Sequence, residues 1–570
     1  MKRLASSGAS TRFNGSALAW ALIYFCFFST ALQIVIVAWG RGGTIGLRDS
    51  LLYSLLWTIP VFLFPRCIRL YGAVVGILLW LSSAAAIAYF YIYGQEFSQS
   101  VLFVMFETNA SEAGEYMQQY FSWGLVATLI VYTLAALFLW TRLRPVYLPR
   151  AWRYGASLVI FCILILAPLA PRIMAGKGVH NAVSHLVNRM EPAAPWQFVA
   201  GYYNYRNQLN SLEEKLQANR ALPPLKNLVD ANGDTPRTLV LVIGESTQRN
   251  RMSLYGYGRN TTPEIDALRL KDKNLSVFND VVTSRPYTIE ILQQALTFAD
   301  EKNPDLYLTE PSLMNMMKQA GYKTFWITNQ QSMTKRNTML TVFSRQTDQQ
   351  FYMNQQRNQS SRQYDSVVFA PFKSVLNDPA PKKFIVIHLL GTHLSYQFRY
   401  PESYARFTGR DAAVPAGVAD DTLDTYNSYD NAVLFNDHVL TTLIKTFKAS
   451  DPNGFLLYFS DHGEEVYDTP PHKLQGRNEE APTRAMYTIP FILWSSPEWV
   501  KHHPQDFSAA ENRKYSSMDL IYTWSDLAGL RYEGWDPTRS LVNPRFVERP
   551  RLIGNPAHQN KLRDYDALTR

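Results

Sequence analysis

The chain has 570 residues, of which 47% are hydrophobic and 18% charged, with a formal net charge of +9. That length exceeds what one hydrophobic core usually supports, so two or more units are expected. The excess basic residues sit largely in short links between apolar runs and form no compact recognition element, which excludes a nucleic-acid binder.

Five stretches near 17–39, 50–65, 70–93, 122–141 and 154–170 are apolar enough to span a bilayer as helices, which takes about 20 residues. Pro60 interrupts the second, and Pro168 and Pro171 are expected to close the fifth. The first is too long, and too lacking in a small-residue cleavage site, for a removed signal peptide. Lys2, Arg3 and Arg12 precede the first span, Arg66 and Arg69 join the second to the third, and Arg142, Arg144, Arg150 and Arg153 join the fourth to the fifth. The alternate links are poorer in Lys and Arg, and the 94–121 link carries Glu96, Glu107, Glu112 and Glu115. Basic links stay cytoplasmic, so the N-terminus is predicted inside and everything after the fifth span outside. The three cysteines, Cys26, Cys67 and Cys162, all lie in or beside these runs. Any metal in the remainder must therefore be held by Asp, Glu, His or hydroxyl groups.

These features divide the chain into a transmembrane domain over 1–172, an interfacial linker region over 173–225 and a soluble catalytic domain over 226–570. In the linker, Trp196, Phe198, Tyr202, Tyr203 and Tyr205 are spaced among polar residues. Such amphipathic rings favour the headgroup region, but the pattern equally suits a helix packed on protein. Leu222-Pro223-Pro224 marks the boundary.

In the soluble part, short β-rich apolar runs alternate with helical patterns. The runs are Thr238–Ile243, Thr324–Ile327, Phe384–Leu390, Phe455–Phe459 and Ile489–Trp494. Runs without period-2 alternation suit strands buried on both faces, as in a parallel sheet. Helices fit over 288–299 and over 311–320, where Met314, Met317 and Ala320 have helical spacing. An α/β sandwich with a largely parallel sheet is the expected fold, and its active site should collect at the carboxyl ends of the strands.

Three strand ends carry metal-competent side chains. The first run leads into Gly244-Glu245-Ser246-Thr247, the third into Gly391-Thr392-His393, and the fourth into Ser460-Asp461-His462-Gly463-Glu464. Adjacent Asp and His can reach one ion if the backbone turns there, and Gly463 permits a turn. Carboxylates with imidazole and no thiolate suit Zn²⁺ or Mn²⁺. The segment from Val281 to Thr288 places Thr288 where a helix begins, beside free backbone N–H groups that favour a phosphoryl oxygen. A threonine hydroxyl becomes a nucleophile when a metal lowers its pKa. Threonine is also a common helix cap, and local sequence does not choose between the two roles.

Taken together, VIGESTQRNRMSLYGYGRNTTPEIDAL, VVTSRPYT, HLLGTH followed by RYP, and FSDHGEE resemble the phosphoethanolamine transferases of the alkaline phosphatase and sulfatase superfamily. The likeness covers nearly the whole chain and is nearest to the enterobacterial type that modifies heptose in the lipopolysaccharide core. It implies five N-terminal spans in the bacterial inner membrane and a periplasmic catalytic domain. It also implies a zinc site built from Glu245, Thr288, Asp461 and His462. Thr288 would attack phosphatidylethanolamine, release diacylglycerol and pass the phosphoethanolamine to lipopolysaccharide. His393 and His472 match positions that hold the phosphoethanolamine or a second zinc, and either could serve as acid or base; taken alone, each equally suits a hydrogen-bonded structural role. By the same resemblance Asn329 and Lys335, after the second strand, would help bind the phosphate; Arg285 is a further candidate for phosphate contact, although an arginine in a loop equally suits simple solvation.

Two departures stand out. Lipid A-modifying members carry disulfides around the site, whereas this domain has no cysteine. They also have a Cys-Gly-Thr-type sequence where this chain reads Arg285-Pro286-Tyr287, which leaves Thr283 as a competitor to Thr288. A metal-dependent phosphodiesterase, or a transferase acting on lipid A or another periplasmic glycan, would use the same ligands. Intact ligands argue against a catalytically dead assembly protein. Acceptor contacts are expected from surface loops over 400–425 and 473–484.

Overall fold

The computed structural model describes residues 14–38, 44–93, 121–174, 179–190, 192–203, 222–331, 342–354, 363–450, 452–504 and 506–568. The chain forms two compact units, 1–108 with 116–210, and 109–115 with 211–570. Lys2, Arg3, Arg12, the four glutamates of the 94–121 link, Tyr205 and Lys335 lie outside the described residues.

In the first unit, α1 (Gly15–Ala38), α2 (Thr44–Ser54), α3 (Ile68–Tyr93), α4 (Trp123–Thr141) and α5 (Arg150–Phe161) follow the apolar runs. Four helical stretches among the described residues, Gly15–Ala38, Pro65–Ile92, Trp123–Thr141 and Arg150–Met174, are long and apolar enough to cross a membrane. The second run is helical but broken. After α2 the chain tightens into a 3₁₀ turn at Leu55–Thr58, resumes as helix at Ile59–Leu63, and breaks at Phe64. Pro60 has no N–H for the Leu56 carbonyl, and the Ile59 N–H takes that carbonyl instead, which shortens the pitch. The fifth run differs from expectation in the other direction, because Pro168 and Pro171 do not close it. A π turn at Cys162–Leu166 precedes them, and the helix resumes over Ala167–Met174. The wider turn absorbs the shift in hydrogen-bond register that a proline would otherwise force.

The segment after these helices packs on protein. α6 (Val179–Met190) places the Arg189 guanidinium 3.2 Å from Asp49. Trp196 stacks on Trp57 at 5.5 Å, and the Ala194 N–H donates to Ser29 Oγ at 2.9 Å. Tyr202 and Tyr203 stay exposed.

The second unit is built on a seven-stranded sheet. Its strands are β1 (Arg237–Gly244), β2 (Leu275–Phe278), β3 (Lys323–Gln331), β4 (Gln349–Asn354), β5 (Lys382–His388), β6 (Gly454–Ser460) and β7 (Phe491–Ser495). Their order is β2-β7-β6-β1-β5-β3-β4. The sheet is mixed: β6, β1, β5, β3 and β4 pair in parallel, while β7 runs antiparallel to both of its neighbours. The β7 run is fully buried like the others, because burial on both faces fixes composition and not direction. In β1, Leu239, Leu241 and Ile243 enter one core while Val240 and Val242 enter the other, which explains an apolar run without alternation. Each such side chain contributes about 1.5–3 kcal/mol of transfer free energy. The 281–287 segment leads into α7 (Thr288–Ala295), and α8 (Leu313–Gln319) covers the expected methionine-rich helix.

Candidate metal and transfer site

The register of the sheet sets the spacing of the site. β1 and β6 are parallel neighbours in which Gly244 pairs with Ser460, so Glu245 and Asp461 leave adjacent strands at the same level. The Asp461 N–H donates to the Gly244 carbonyl at 3.0 Å and extends the pairing by one step. Ser246 then takes a left-handed φ of 59° and turns its N–H onto Asp461 Oδ1 at 3.1 Å. Gly391, after β5, has φ 53°, and a Cβ there would lie 2.6 Å from the Glu245 carbonyl. Gly463 is needed for a related reason: a Cβ would lie 2.1 Å from the Ala485 carbonyl oxygen. Close approach, rather than freedom to turn, fixes glycine there.

Glu245, Asp461 and His462 each present a ligand atom within 4.8 Å of the others, and all three are buried. His462 Nε2 lies 3.1 Å from Glu245 Oε1 and 3.4 Å from Asp461 Oδ2. His462 Nδ1 is 2.8 Å from the Gly463 carbonyl, which can only accept, so Nδ1 carries the proton and Nε2 keeps its lone pair. Asp461 Oδ1 is engaged by two backbone N–H groups, whereas its Oδ2 is buried without a hydrogen-bond partner. Burial, then the Glu245 charge, pushes the Asp461 carboxyl well above the usual range. Burial works against the Glu245 carboxylate too, but His462, His393 and Arg477 hold it well below. Burial and then the Arg477 charge push His462 below the usual imidazole range. Two buried carboxylates and an imidazole nitrogen that converge within 4.8 Å are a donor set for a divalent cation. The residues fit a metal ion.

Thr288 begins α7 and is brought to this cluster. Its Oγ1 donates to Glu245 Oε2 at 3.0 Å and lies 3.4 Å from His462 Nε2. Thr283, the competitor, donates its hydroxyl to the Arg285 carbonyl at 3.1 Å. His393 is half-buried on the loop after β5, close enough for its charge to act on Glu245. His472 has φ 61° and a ring nitrogen 2.8 Å from the Tyr467 carbonyl.

Two expected phosphate contacts are engaged elsewhere. Arg285 is buried in a two-pronged pair with Glu479, at 2.5 and 3.2 Å. Asn329 donates to Asp365 at 2.9 Å, and Asp365 accepts from the Leu390 and Gly391 N–H groups, so Asn329 braces the loop that carries His393. In the 473–484 stretch Gln475, Asn478 and Glu479 are buried, and the remaining residues are partly or fully exposed.

Sequence reasoning missed two contributors. Gln330, at the end of β3, donates to Glu245 Oε2 at 3.2 Å and to the Leu389 carbonyl at 2.8 Å. Arg477 puts Nη1 2.6 Å from His462 Nε2 and 3.7 Å from Glu245 Oε1, while its Nε pairs with Glu464 at 3.2 Å. Gln330 ends the same strand as Asn329, so the strand-end rule could have found it; Arg477 has no such signal, since it sits fifteen positions past His462 in a polar stretch.

Comparison with known proteins places this geometry. The sulfatase family profile matches residues 237–530, and the phosphoethanolamine transferase EptA/EptB profile matches 54–177. The chain is 65% identical over 561 residues to phosphoethanolamine transferase EptC of Escherichia coli strain K12, covering 98% of this chain and 97% of that protein. A crystal structure of the C-terminal periplasmic domain of Escherichia coli EptC in complex with zinc is 71% identical with a TM-score of 0.60, covering 61% of this chain and 98% of that one. The integral membrane protein lipooligosaccharide phosphoethanolamine transferase A from Neisseria meningitidis is 20% identical with a TM-score of 0.61, covering 93% of this chain and 98% of that one, and shares the fold.

Proposed function

The chain belongs to the phosphoethanolamine transferase family, and from that membership we propose that it moves phosphoethanolamine from phosphatidylethanolamine to lipopolysaccharide, with a core heptose as acceptor, through a covalent intermediate on Thr288. Five spans with the N-terminus inside, over 1–172, would anchor a periplasmic catalytic domain at 226–570, with 173–225 between them. The zinc bound by the Escherichia coli EptC domain supports zinc as the ion for Glu245, Asp461, His462 and Thr288. A second ion near His393 and His472 is compatible with two imidazoles but is not required by the first cluster.

Glu245, Asp461, His462 and Thr288 would hold the divalent ion, which would lower the pKa of the Thr288 hydroxyl and polarise the phosphoryl group. Thr288 Oγ1 gives its proton to Glu245 Oε2, to which it already donates at 3.0 Å, and takes it back when the acceptor expels Thr288. The oxygen attacks phosphorus in line, and the bond from phosphorus to the diacylglycerol oxygen breaks. His393 or His472 supplies the proton that the leaving alkoxide needs. In the second half, the same histidine takes the proton of the acceptor hydroxyl, whose oxygen attacks phosphorus and expels Thr288. Backbone N–H groups at the start of α7 stabilise the phosphoryl oxygens throughout.

The observation that carries this reading is the contact of one helix-initial hydroxyl with two of three buried ligands. The test is mass spectrometry of core oligosaccharide and lipid A from cells with the gene, without it, and with Thr288→Ala. A phosphoethanolamine increment on the core, lost in both deficient strains, is expected. An increment confined to lipid A would reject the core acceptor; free phosphoethanolamine with neither fraction modified would favour a phosphodiesterase.

A further inference from the structure

We propose that Arg477 binds a phosphoryl oxygen of the transferred group and that Glu464 is the positioning residue that aims it; this rests on the Thr288 transfer proposed above. His462 has one acceptor lone pair, on Nε2, and Arg477 Nη1 donates to it at 2.6 Å. The same lone pair cannot serve a metal and a guanidinium together. With a metal held, Nη1 needs another acceptor within its reach, beside Thr288, and an anionic phosphoryl oxygen supplies it. Arg477 is held near the site by its ion pair with Glu464, Nε to Oε2 at 3.2 Å, and the other Glu464 oxygen accepts from the Tyr396 hydroxyl at 3.3 Å.

Charge and exposure agree with this role. Glu245, Asp461 and Glu464 are three buried carboxylates, which one divalent ion and one guanidinium neutralise. Without Arg477 the cluster would be net negative and would repel an incoming phosphodiester. Arg477 is 13% exposed, against 0–1% for Glu245, His462 and Glu464, so it is the outermost of these groups and the first that an entering anion meets. Neutralising Glu464 alone would require no approach to His462.

The test uses zinc-loaded full-length protein in detergent, titrated calorimetrically with O-phosphoethanolamine, with zinc content measured by elemental analysis. R477Q should weaken binding about tenfold or more while zinc content stays at the wild-type level. R477K should weaken it by a smaller factor, about threefold, because a point charge lacks the planar fork. E464Q should weaken it with zinc retained. Wild-type affinity in R477Q overturns the proposal, as does loss of zinc in parallel with affinity, which would make Arg477 a support for the metal ligands. If R477Q does not fold, wild-type affinity in R477K overturns it. Thr288→Ala separates the two readings: it should still bind O-phosphoethanolamine, whereas continued turnover in that variant would remove the nucleophile and leave the Arg477 result standing.

Discussion

In the membrane-helix unit, several buried neutral groups pair between helices, while among the described residues Thr30 Oγ1, Tyr53 Oη and the Trp57 and Trp196 indole N–H groups have no hydrogen-bond partner. Ser83 and Tyr132 share a hydrogen bond at 2.6 Å, Trp80 donates to Thr133 at 3.0 Å, and Tyr24 donates to the Gly72 carbonyl at 2.7 Å. Gly76 makes room for that tyrosine, since a Cβ there would lie 1.8 Å from its hydroxyl. The buried Asp49 is matched by Arg48 and Arg189. The catalytic unit instead gathers two carboxylates and an imidazole at one point and leaves Asp461 Oδ2 without a donor. Polar burial in the first unit joins helices, as small residues and interhelical hydrogen bonds do in membranes generally. In the second it holds a charge imbalance that only a cation relieves.

Breaking the second arrangement should have the largest effect. Thr288→Ala should lower transfer at least about 10³-fold, since a covalent step loses its nucleophile, while the protein still folds and inserts in the membrane; intact-protein mass spectrometry should show no phosphoethanolamine adduct. Exhaustive chelation should abolish turnover equally and lower the melting temperature of the catalytic unit alone, restored by zinc.

Next come changes that separate stability from chemistry inside the catalytic unit. Arg285→Leu strands the buried Glu479 carboxylate and should cost about 3 kcal/mol in chemical denaturation, with most of it recovered in Arg285→Leu/Glu479→Leu. A variant that keeps its stability and loses only substrate affinity would return Arg285 to the phosphate. Gly463→Ala should cost about 2 kcal/mol and weaken zinc binding, measured by competition with a chelator, because relief of the clash with Ala485 moves His462. The smallest effect belongs to the first unit. Trp196→Ala removes the stack on Trp57 and should cost about 1 kcal/mol in thermal unfolding of that unit, leaving zinc affinity unchanged.

The two units also differ in how much could be read from sequence. The five apolar runs of the catalytic part all became strands, because central strands buried on both faces leave a compositional mark. The edge strands β2 and β4 were not foreseen: each has partners on one side only, and Gln349–Asn354 is polar enough to resemble a loop. The three metal-competent residues at strand ends could be named because a parallel sheet brings distant ends together; the antiparallel sense of β7 could not, since direction leaves no trace in burial. In the membrane unit the runs were visible, but whether a proline breaks a helix depended on the turn before it, a 3₁₀ turn ahead of Pro60 and a π turn ahead of Pro168. Ion pairs were the least legible. Arg285–Glu479 and Arg477–Glu464 join residues whose partners no local pattern announces.

The in-step pairing of Gly244 with Ser460 reaches beyond this protein's own chemistry. Neighbouring strands lie about 4.8 Å apart in any sheet, so the gap between the two carboxylate-bearing backbones is inherited from the ladder rather than tuned by side chains. Insertions, deletions and whole exchanged segments elsewhere on the surface leave that gap untouched. A lineage built on such a ruler can change what receives the group while the cation's cradle stays as it was.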